Sequence, residues 1–238
     1  MKKANIYCLS LNNNLLDKIN KLNYIPVGLG NDNFSNGWLR DNTGENISKK
    51  NKYYAEYTFH YWLWKNEIMK IPDGNWIGFC TYRRFWKSST NRDMEYKEFS
   101  KKVIQEIPKE WDNYETILGD HIKLEFKLMK ILKYGKKALI NNPKAIFSKK
   151  SRNIRFHFDI FHGVGILDKA IDLLNEDDKE QFRSFVNENN SFNKATMFIC
   201  RSKKLINNYY KTVFQWLDKC EKFIGFELEG YNKARMYA

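Results

Sequence analysis

The sequence predicts an α/β protein. Three observations carry that expectation: short apolar runs alternate with segments of three- and four-residue periodicity, the chain is 42% hydrophobic and 16% aromatic, and only 4 Pro and 12 Gly occur in 238 residues. Alternation is the mark of strands and helices taken in turn. The aromatic load excludes disorder, which follows from low hydrophobicity. The scarcity of Pro and Gly argues against a Pro-rich or all-loop chain. A chain this long buries roughly 70–75% of its unfolded surface, so it folds without disulfides or structural metals.

Residues 4–10 read as a first buried strand, followed by a polar turn and a short helix near 14–21. Tyr24 to Leu29 reads as a second strand. Its closing Gly28-Leu29-Gly30 is not a dinucleotide fingerprint, because the third glycine and the following helix are missing. Residues 31–51, rich in Asn, Asp, Gly and Ser, form a long loop of the kind that usually serves function. Lys52 to Lys70 is expected to be one helix. It carries Tyr53, Tyr54, Tyr57, Phe59, Tyr61, Trp62 and Trp64 nearly all the way round, so it is buried. Glu56 and His60 stand four apart on it and share a face.

After a turn at Pro72-Asp73-Gly74, Asn75 to Cys80 reads as a strand running into Thr81-Tyr82-Arg83-Arg84-Phe85-Trp86. A helix over 94–106 and a strand over 114–118 follow. Ile122 to Ile140 has helical periodicity with a break at Gly135 and a stop at Pro143. Helices are expected over 165–174 and 179–187, and a late strand over 195–200. From Lys203 the apolar residues Leu205, Tyr209, Val213, Trp216, Cys220 and Phe223 define an amphipathic helix.

The net charge is +13, with 41 Lys and Arg against 28 Asp and Glu. Such a field favours anionic partners: nucleic acid, phosphorylated ligands or an anionic membrane. The basic residues come as dispersed pairs (Lys49-Lys50, Lys101-Lys102, Lys136-Lys137, Lys149-Lys150, Lys203-Lys204), which also suits plain solvated faces. Cys8, Cys80, Cys200 and Cys220 show no C-x-x-C spacing, so reduced thiols in a cytosolic protein are expected. The apolar stretch after Met1-Lys2-Lys3 stops at Asn12-Asn13-Asn14, too soon for a signal peptide. No run reaches the ~18–20 apolar residues of a membrane span. P-loop, G-x-S-x-G, H-E-x-x-H and kinase signatures are absent.

Two segments could carry chemistry. In open α/β sheets, ligands bind beyond the carboxyl ends of strands. Arg83 and Arg84 follow such a strand beside Tyr82, Phe85 and Trp86, suiting an anionic ligand with a flat group; the bland alternative is one paired arginine, one solvated arginine and core aromatics. The second segment is Asp41 to Ser48, then Asn51 and Glu56. Asn46 and Ser48 are good caps for a helix starting near 50, and helix N-termini bind phosphate, though capping alone would account for Ser48. His157 and His162 lie five apart around Asp159, which is not the spacing of helical metal ligands.

The run Asn46-Ile47-Ser48-x-Lys50-Asn51, Tyr54-Ala55-Glu56-Tyr57-Thr58, Tyr61-Trp62-x-Trp64-Lys65-Asn66 and Ile77-Gly78-Phe79-Cys80-Thr81-Tyr82-Arg83-Arg84-Phe85 resembles a family of bacterial capsular and exopolysaccharide glycosyltransferases, formerly a domain of unknown function. The family pattern is roughly NIS-x-KN, CELT, YW-x-WKN and GLCHYRRY. The likeness is weaker through His157, His162, Asp168, Asn193 to Phe198, and Tyr231 to Ala238. Ala55 stands where the family has Cys, and Thr81 where it has His, which puts any chemistry of that His in doubt. Family members also continue past the equivalent of Arg235 into an acidic, hydrophobic tail, so the chain is expected to be a truncated piece.

The resemblance implies a single nucleotide-sugar-transferase-like (GT-A-like) domain, α/β with a mixed, mainly parallel central sheet and flanking helices. Residues 1–120 would form a donor-binding half and 121–238 an acceptor-side half. It implies transfer from a nucleotide-sugar donor, a UDP-sugar such as UDP-galactose, to a growing capsular polysaccharide, lipopolysaccharide or exopolysaccharide. The acceptor would be a glycan or lipid-linked glycan, made in the cytoplasm at the inner face of the membrane, where Lys pairs would meet anionic lipid. The residues themselves, set beside that resemblance, make Glu56, Arg83, Arg84 and His162 the catalytic candidates, Glu56 because an acid in a buried aromatic helix is costly unless paired, with a salt bridge to Arg83 as the equal structural alternative. Those holding donor or substrate are Asp41, Asn46, Ser48, Asn51, Trp62, Lys65, Tyr82, Asp120, Asn193 and Arg235. Relatives that use Mn or Mg hold it with D-x-D; no clear D-x-D occurs here, so no cofactor is expected and two arginines would neutralise the diphosphate instead. The rival readings are an inactive scaffold of a glycan-assembly complex and a basic nucleic-acid-binding module. Against the second, the aromatics fall in a buried pattern and no nucleic-acid motif appears, so no nucleic acid is expected.

Overall fold

The computed structural model describes residues 2–30, 32–87, 102–124, 129, 131–132, 135–194, 196–227 and 234–238. The helix expected over 94–106 lies mostly outside them. The chain divides into two compact units: Met1–Gly119 with Lys194–Thr212 and Ala238, and Asp120–Asn193 with Val213–Tyr237.

The first unit is built on a mixed sheet. Strands β1 (Lys2–Ser10), β2 (Ile25–Gly28), β3 (Leu39–Arg40) and β4 (Trp76–Thr81) are parallel and stand in the order β3-β2-β1-β4. Antiparallel β5 (Glu106–Ile107) pairs with the start of β1. β6 (Thr116–Leu118) and β9 (Phe198–Cys200) extend the sheet beyond β4, both pairings antiparallel. All six residues of β4 are buried, as expected of a parallel strand covered on both faces. Helix α1 (Leu16–Asn20) links β1 to β2, while α2 (Asn51–Tyr54) and α3 (Tyr57–Asn66) precede β4.

Ile6, Cys8, Cys80, Trp76 and Ile199 pack with Ile19 and Tyr24 in one core. Phe59, His60, Phe79, Phe198 and Tyr210 form an aromatic cluster with ring centroids 4.4–6.5 Å apart. The four thiols are buried and free.

The second unit holds β7 (Ile122–Lys123) paired with β8 (Ser191–Phe192), and helices α4 (Lys136–Asn141), α5 (Ile154–His162), α6 (Ile166–Asp172) and α7 (Glu176–Glu188). Helix α8 (Lys203–Ile224) belongs to the first unit through Thr212 and to the second from Val213. An apolar cavity of about 50 Å³, lined by Phe158, Leu167, Trp216, Cys220, Met236 and Tyr237 among others, lies in the second unit. Without a charged lining group it does not suit a sugar diphosphate.

Three sequence expectations are corrected. The helix expected over 52–70 is broken at Ala55, whose φ of 44° takes it out of helical space, and it ends at Asn66 before a 3₁₀ turn over Ile68–Lys70. Ile122 and Lys123 are extended because they pair with β8, a long-range contact that outweighs local periodicity. The late strand begins at Phe198, where it meets Leu118 and nears β4.

Candidate active site

Because β1 lies between β2 and β4, the chain crosses to β2 on one side and later arrives at β4 on the other. At such a reversal, open α/β sheets bind ligands beyond the carboxyl ends of the strands. Both neighbours are tied to that end: Leu29 N–H donates to the Ser10 carbonyl at 3.0 Å and Tyr82 N–H to the Leu9 carbonyl at 3.0 Å. Two groups of residues are therefore brought to one edge of the sheet.

The first follows β4. Thr81 and Arg84 close a tight turn, with Arg84 N–H donating to the Thr81 carbonyl at 2.9 Å and Thr81 N–H to the Arg84 carbonyl at 3.3 Å. Trp86 anchors the far side by donating its indole N–H to the Phe79 carbonyl at 2.9 Å. This turn leaves Arg83 and Arg84 exposed and Tyr82 half-buried. The Arg83 guanidinium lies 5.1 Å from the Tyr82 ring centroid. Neither arginine makes an ion pair among the described residues, so the salt bridge between Glu56 and Arg83 that would have explained both is not formed. Thr81 itself is buried in β4.

The second group gathers beyond β2. Asp41 is fully buried; its Oδ1 accepts from Gly30 N–H at 3.0 Å and its Oδ2 from the Thr58 hydroxyl at 2.6 Å. Burial raises its carboxyl above the usual range, and the bonds from Thr58 and Gly30 partly oppose that. With both oxygens engaged and no exposure, Asp41 fixes the loop to α3 and is not placed to accept a substrate proton. Arg40, not singled out by the sequence, donates to the Gly30 carbonyl at 2.6 Å and the Asp32 carbonyl at 2.8 Å. Gly30 is the pivot: its φ of +69° is left-handed, and an added Cβ would meet Asn51 at 3.3 Å.

Asn51 donates to the Ala55 carbonyl at 2.9 Å and the Thr58 hydroxyl at 3.1 Å. Thr58 N–H also donates to that carbonyl, at 3.2 Å, while its hydroxyl, whose one proton goes to Asp41 at 2.6 Å, lies 3.0 Å from it. The Asn51 amide and the Thr58 N–H thus hold a non-glycine residue at positive φ, a conformation that costs about 1–3 kcal/mol and persists only when its surroundings over-determine it. The strained Ala55 turns the chain so that Glu56 opens α3, half-exposed, with its carboxylate in no hydrogen bond or ion pair among the described residues.

Asn46 and Ser48 do not cap a helix as expected. Asn46 Oδ1 accepts from Ser48 N–H at 3.2 Å and Ser48 hydroxyl at 2.9 Å, and its Nδ2 donates to the Gly44 carbonyl at 2.9 Å. This staple shapes the loop, and Ser48 is buried within it. Helix α3 holds the same loop from the other side. Trp62 indole donates to Thr43 Oγ1 at 3.0 Å, Asn66 donates to the Glu45 carbonyl at 2.8 Å, and Lys65 lies 3.2 Å from Glu45. The YW-x-WKN pattern thus reads as a loop clamp, and the spacing of Trp62, Lys65 and Asn66 at three and four residues is the signal that one helix face does this.

His162, Asp120, Asn193 and Arg235 belong to the second unit. Asp120 is exposed; Asn193 and Arg235 are half-buried. His162 ends α5, its ring 4.5 Å from that of Phe158. Asp168 is held by Arg155 and lies 3.8 Å from Arg183. Among the described residues no three His, Cys, Asp or Glu converge as metal ligands would.

Two imidazoles, His60 fully buried and His157 half-buried, set a pH response. Burial pushes His60 down to about 3 and His157 down to about 4, from the ordinary 6.5. Below pH 6.5 the unfolded chain binds protons that these folded imidazoles refuse, so the stability they carry is present above 6.5 and is lost as pH falls toward their folded values. His60, fully buried against Tyr210 at 2.8 Å, alone contributes a loss of about 2–3 kcal/mol by pH ~4.5. Thermal melts between pH ~7 and ~4.5 are expected to show a falling midpoint; a flat profile would refute the assignment. The raised carboxyls of Asp41 and Asp159 act in the opposite direction.

The sequence profile of a family described as "Domain of unknown function (DUF4422)" matches residues 6–238. A solved apo structure of WbbM, a bifunctional glycosyltransferase, is similar with a TM-score of 0.69 at 22% identity, covering 99% of this chain and 40% of that one. The chain thus spans well under half of that protein, and the likeness establishes a shared fold. No curated protein matches.

Proposed function

The chain belongs to the DUF4422 family, and from that premise we propose that it is a glycosyltransferase moving a hexose from a UDP-sugar or related donor to a growing surface glycan. One observation carries the reading: two exposed arginines that make no ion pair among the described residues, on a tight turn at the carboxyl end of β4. Forked guanidiniums bind phosphate oxygens bidentately, and placed at the leaving diphosphate they stabilise charge as it develops. Tyr82, half-buried under Arg83, offers a flat surface to the same ligand.

In this mechanism the acceptor hydroxyl attacks the anomeric carbon, the bond from that carbon to the diphosphate oxygen breaks, and the nucleoside diphosphate leaves against Arg83 and Arg84. Glu56 takes the hydroxyl proton. Its carboxylate follows the strained turn at Ala55, partly exposed and in no hydrogen bond or ion pair among the described residues. A general base needs hydrogen-bond reach to its proton and freedom from other partners; Asp41 has no such freedom. The first unit is then the donor half and the second, with His162, Asp120, Asn193 and Arg235, the acceptor side.

Thermal melts against UDP-, GDP-, CMP- and dTDP-sugars, each with manganese and with EDTA, test the reading. One donor class at about 100 times its Kd is expected to raise the midpoint by about 5–10 °C, unaffected by EDTA. A shift that needs manganese keeps the transferase and removes the arginine account of the diphosphate. No shift with any donor favours the inactive scaffold.

A further inference from the structure

Between Glu125 and Asp159 the sequence has ten Lys or Arg residues and no Asp or Glu. In the same stretch of the second unit, four large apolar side chains face outward: Met129 is 80% exposed, Leu132 46%, Ile140 79% and Phe147 91%. The inward positions are taken by small residues, Ala138 and Ala145, packed with Ile131 and Phe156. The stretch thus buries two alanines while leaving four large apolar side chains in solvent, the reverse of ordinary amphipathicity at those positions.

The charges share the apolar faces. Lys136 and Lys137 precede Ile140 by four and three residues on α4, and Lys144 precedes Phe147 by three across a 3₁₀ turn, where such positions eclipse. Lys136, Lys137, Lys144, Lys149 and Lys150 are exposed and form no ion pair among the described residues. Nor is the Phe147 loop loosely placed: Arg152 donates to the Ala145 carbonyl at 2.7 Å and the Ile146 carbonyl at 2.8 Å, and Asn142 to the Ser151 carbonyl at 3.2 Å.

Large apolar groups exposed together on a short stretch of one unit mark a surface for something to cover. A second copy meeting this patch isologously would set lysines against lysines. A nucleic acid would satisfy the charges and leave aliphatic chains such as Ile140 and Met129 in water. An anionic bilayer satisfies both, with phosphate charge at its surface and hydrocarbon beneath. We propose that residues 135–150, with Met129 and Leu132, seat the second unit on an anionic membrane surface, Ile140 and Phe147 entering the headgroup–acyl boundary and the exposed lysines meeting lipid phosphate. Such a seat does not depend on the transferase reading, and it is measured without donor or acceptor.

The test is co-sedimentation of the whole chain with vesicles of phosphatidylcholine carrying about 30% phosphatidylglycerol, and with phosphatidylcholine alone. The protein is expected to partition onto the anionic vesicles, less so at high salt. Lys136→Gln and Lys144→Gln are each expected to weaken partition about fivefold, the equivalent of ~1 kcal/mol per lysine. Ile140→Ser and Phe147→Ser are each expected to weaken it about tenfold or more without moving the thermal midpoint, since both side chains are already exposed. Indifference to phosphatidylglycerol, or full binding by Ile140→Ser/Phe147→Ser, overturns the proposal. So does self-association in sedimentation velocity that Phe147→Ser abolishes, which would make the patch a dimer face. Binding to a polyphosphate column that the serine variants retain, with no vesicle binding, would make it a polyanion site and equally overturn it.

Discussion

Arg83→Ala and Arg84→Ala are each expected to lower sugar-transfer turnover about 100- to 1000-fold, the range found when one preorganised donor to a developing charge is removed. Both side chains are exposed and make no ion pair among the described residues, so the thermal midpoint should stay within about 1 °C, the small change typical of surface substitutions. Arg→Lys at either position should recover only part of the loss, because an ammonium keeps the charge and loses the fork. The same assay on Glu56→Gln separates the two roles: loss of turnover with donor binding intact is expected of a base, whereas the arginine variants should also lose the donor-induced thermal shift. Near-wild-type turnover by either alanine variant would remove that arginine from the mechanism.

The largest stability effect is expected at Asp41. Asp41→Ala strips the acceptor from Gly30 N–H and from the Thr58 hydroxyl, in a position with no exposure at all. Orphaning a buried donor costs about 1–3 kcal/mol, so the two together should lower stability by about 3 kcal/mol and the midpoint by about 6–12 °C. Asp41→Asn, which keeps one acceptor oxygen, should lose roughly half as much. Lys65→Ala gives the contrast. Its pair with Glu45 is at the surface, with side chains 30% and 59% exposed, and is worth about 0–1 kcal/mol. If Asp41→Ala melted like wild type, the loop clamp described above would not be what holds residues 41–58.

How much of this was legible beforehand differs from one segment to the next. The strand before Tyr82 was visible because β4 is buried along its whole length and reads as an unbroken apolar run. Helix α8 was visible because its apolar residues recur at helical steps. The break at Ala55 was not, since alanine is the best helix former; the donors on its carbonyl come from Asn51 and Thr58, four and three residues away, and Thr58 is itself fixed by Asp41, 17 residues distant. Likewise Asn46 and Ser48 read as caps while their real partners are each other. Arg40 gave no signal at all, because its acceptors are backbone carbonyls, which leave no trace in side-chain patterns.

By itself, then, the sequence determined the α/β class, the order of most elements, the basic field and the presence of two arginines after a strand, because each depends on period, composition or adjacency along the chain. Only the tertiary structure decided that β1 lies between β2 and β4, that the ends of β2 and β4 are both tied to the carboxyl end of β1, and that Asp41 is a buried clamp while Glu56 makes no side-chain hydrogen bond or ion pair among the described residues. Those are facts of who meets whom across tens of residues. Burial and hydrogen bonding between distant segments decide whether a given carboxylate is structural or chemical, and neither is written in the spacing of its neighbours.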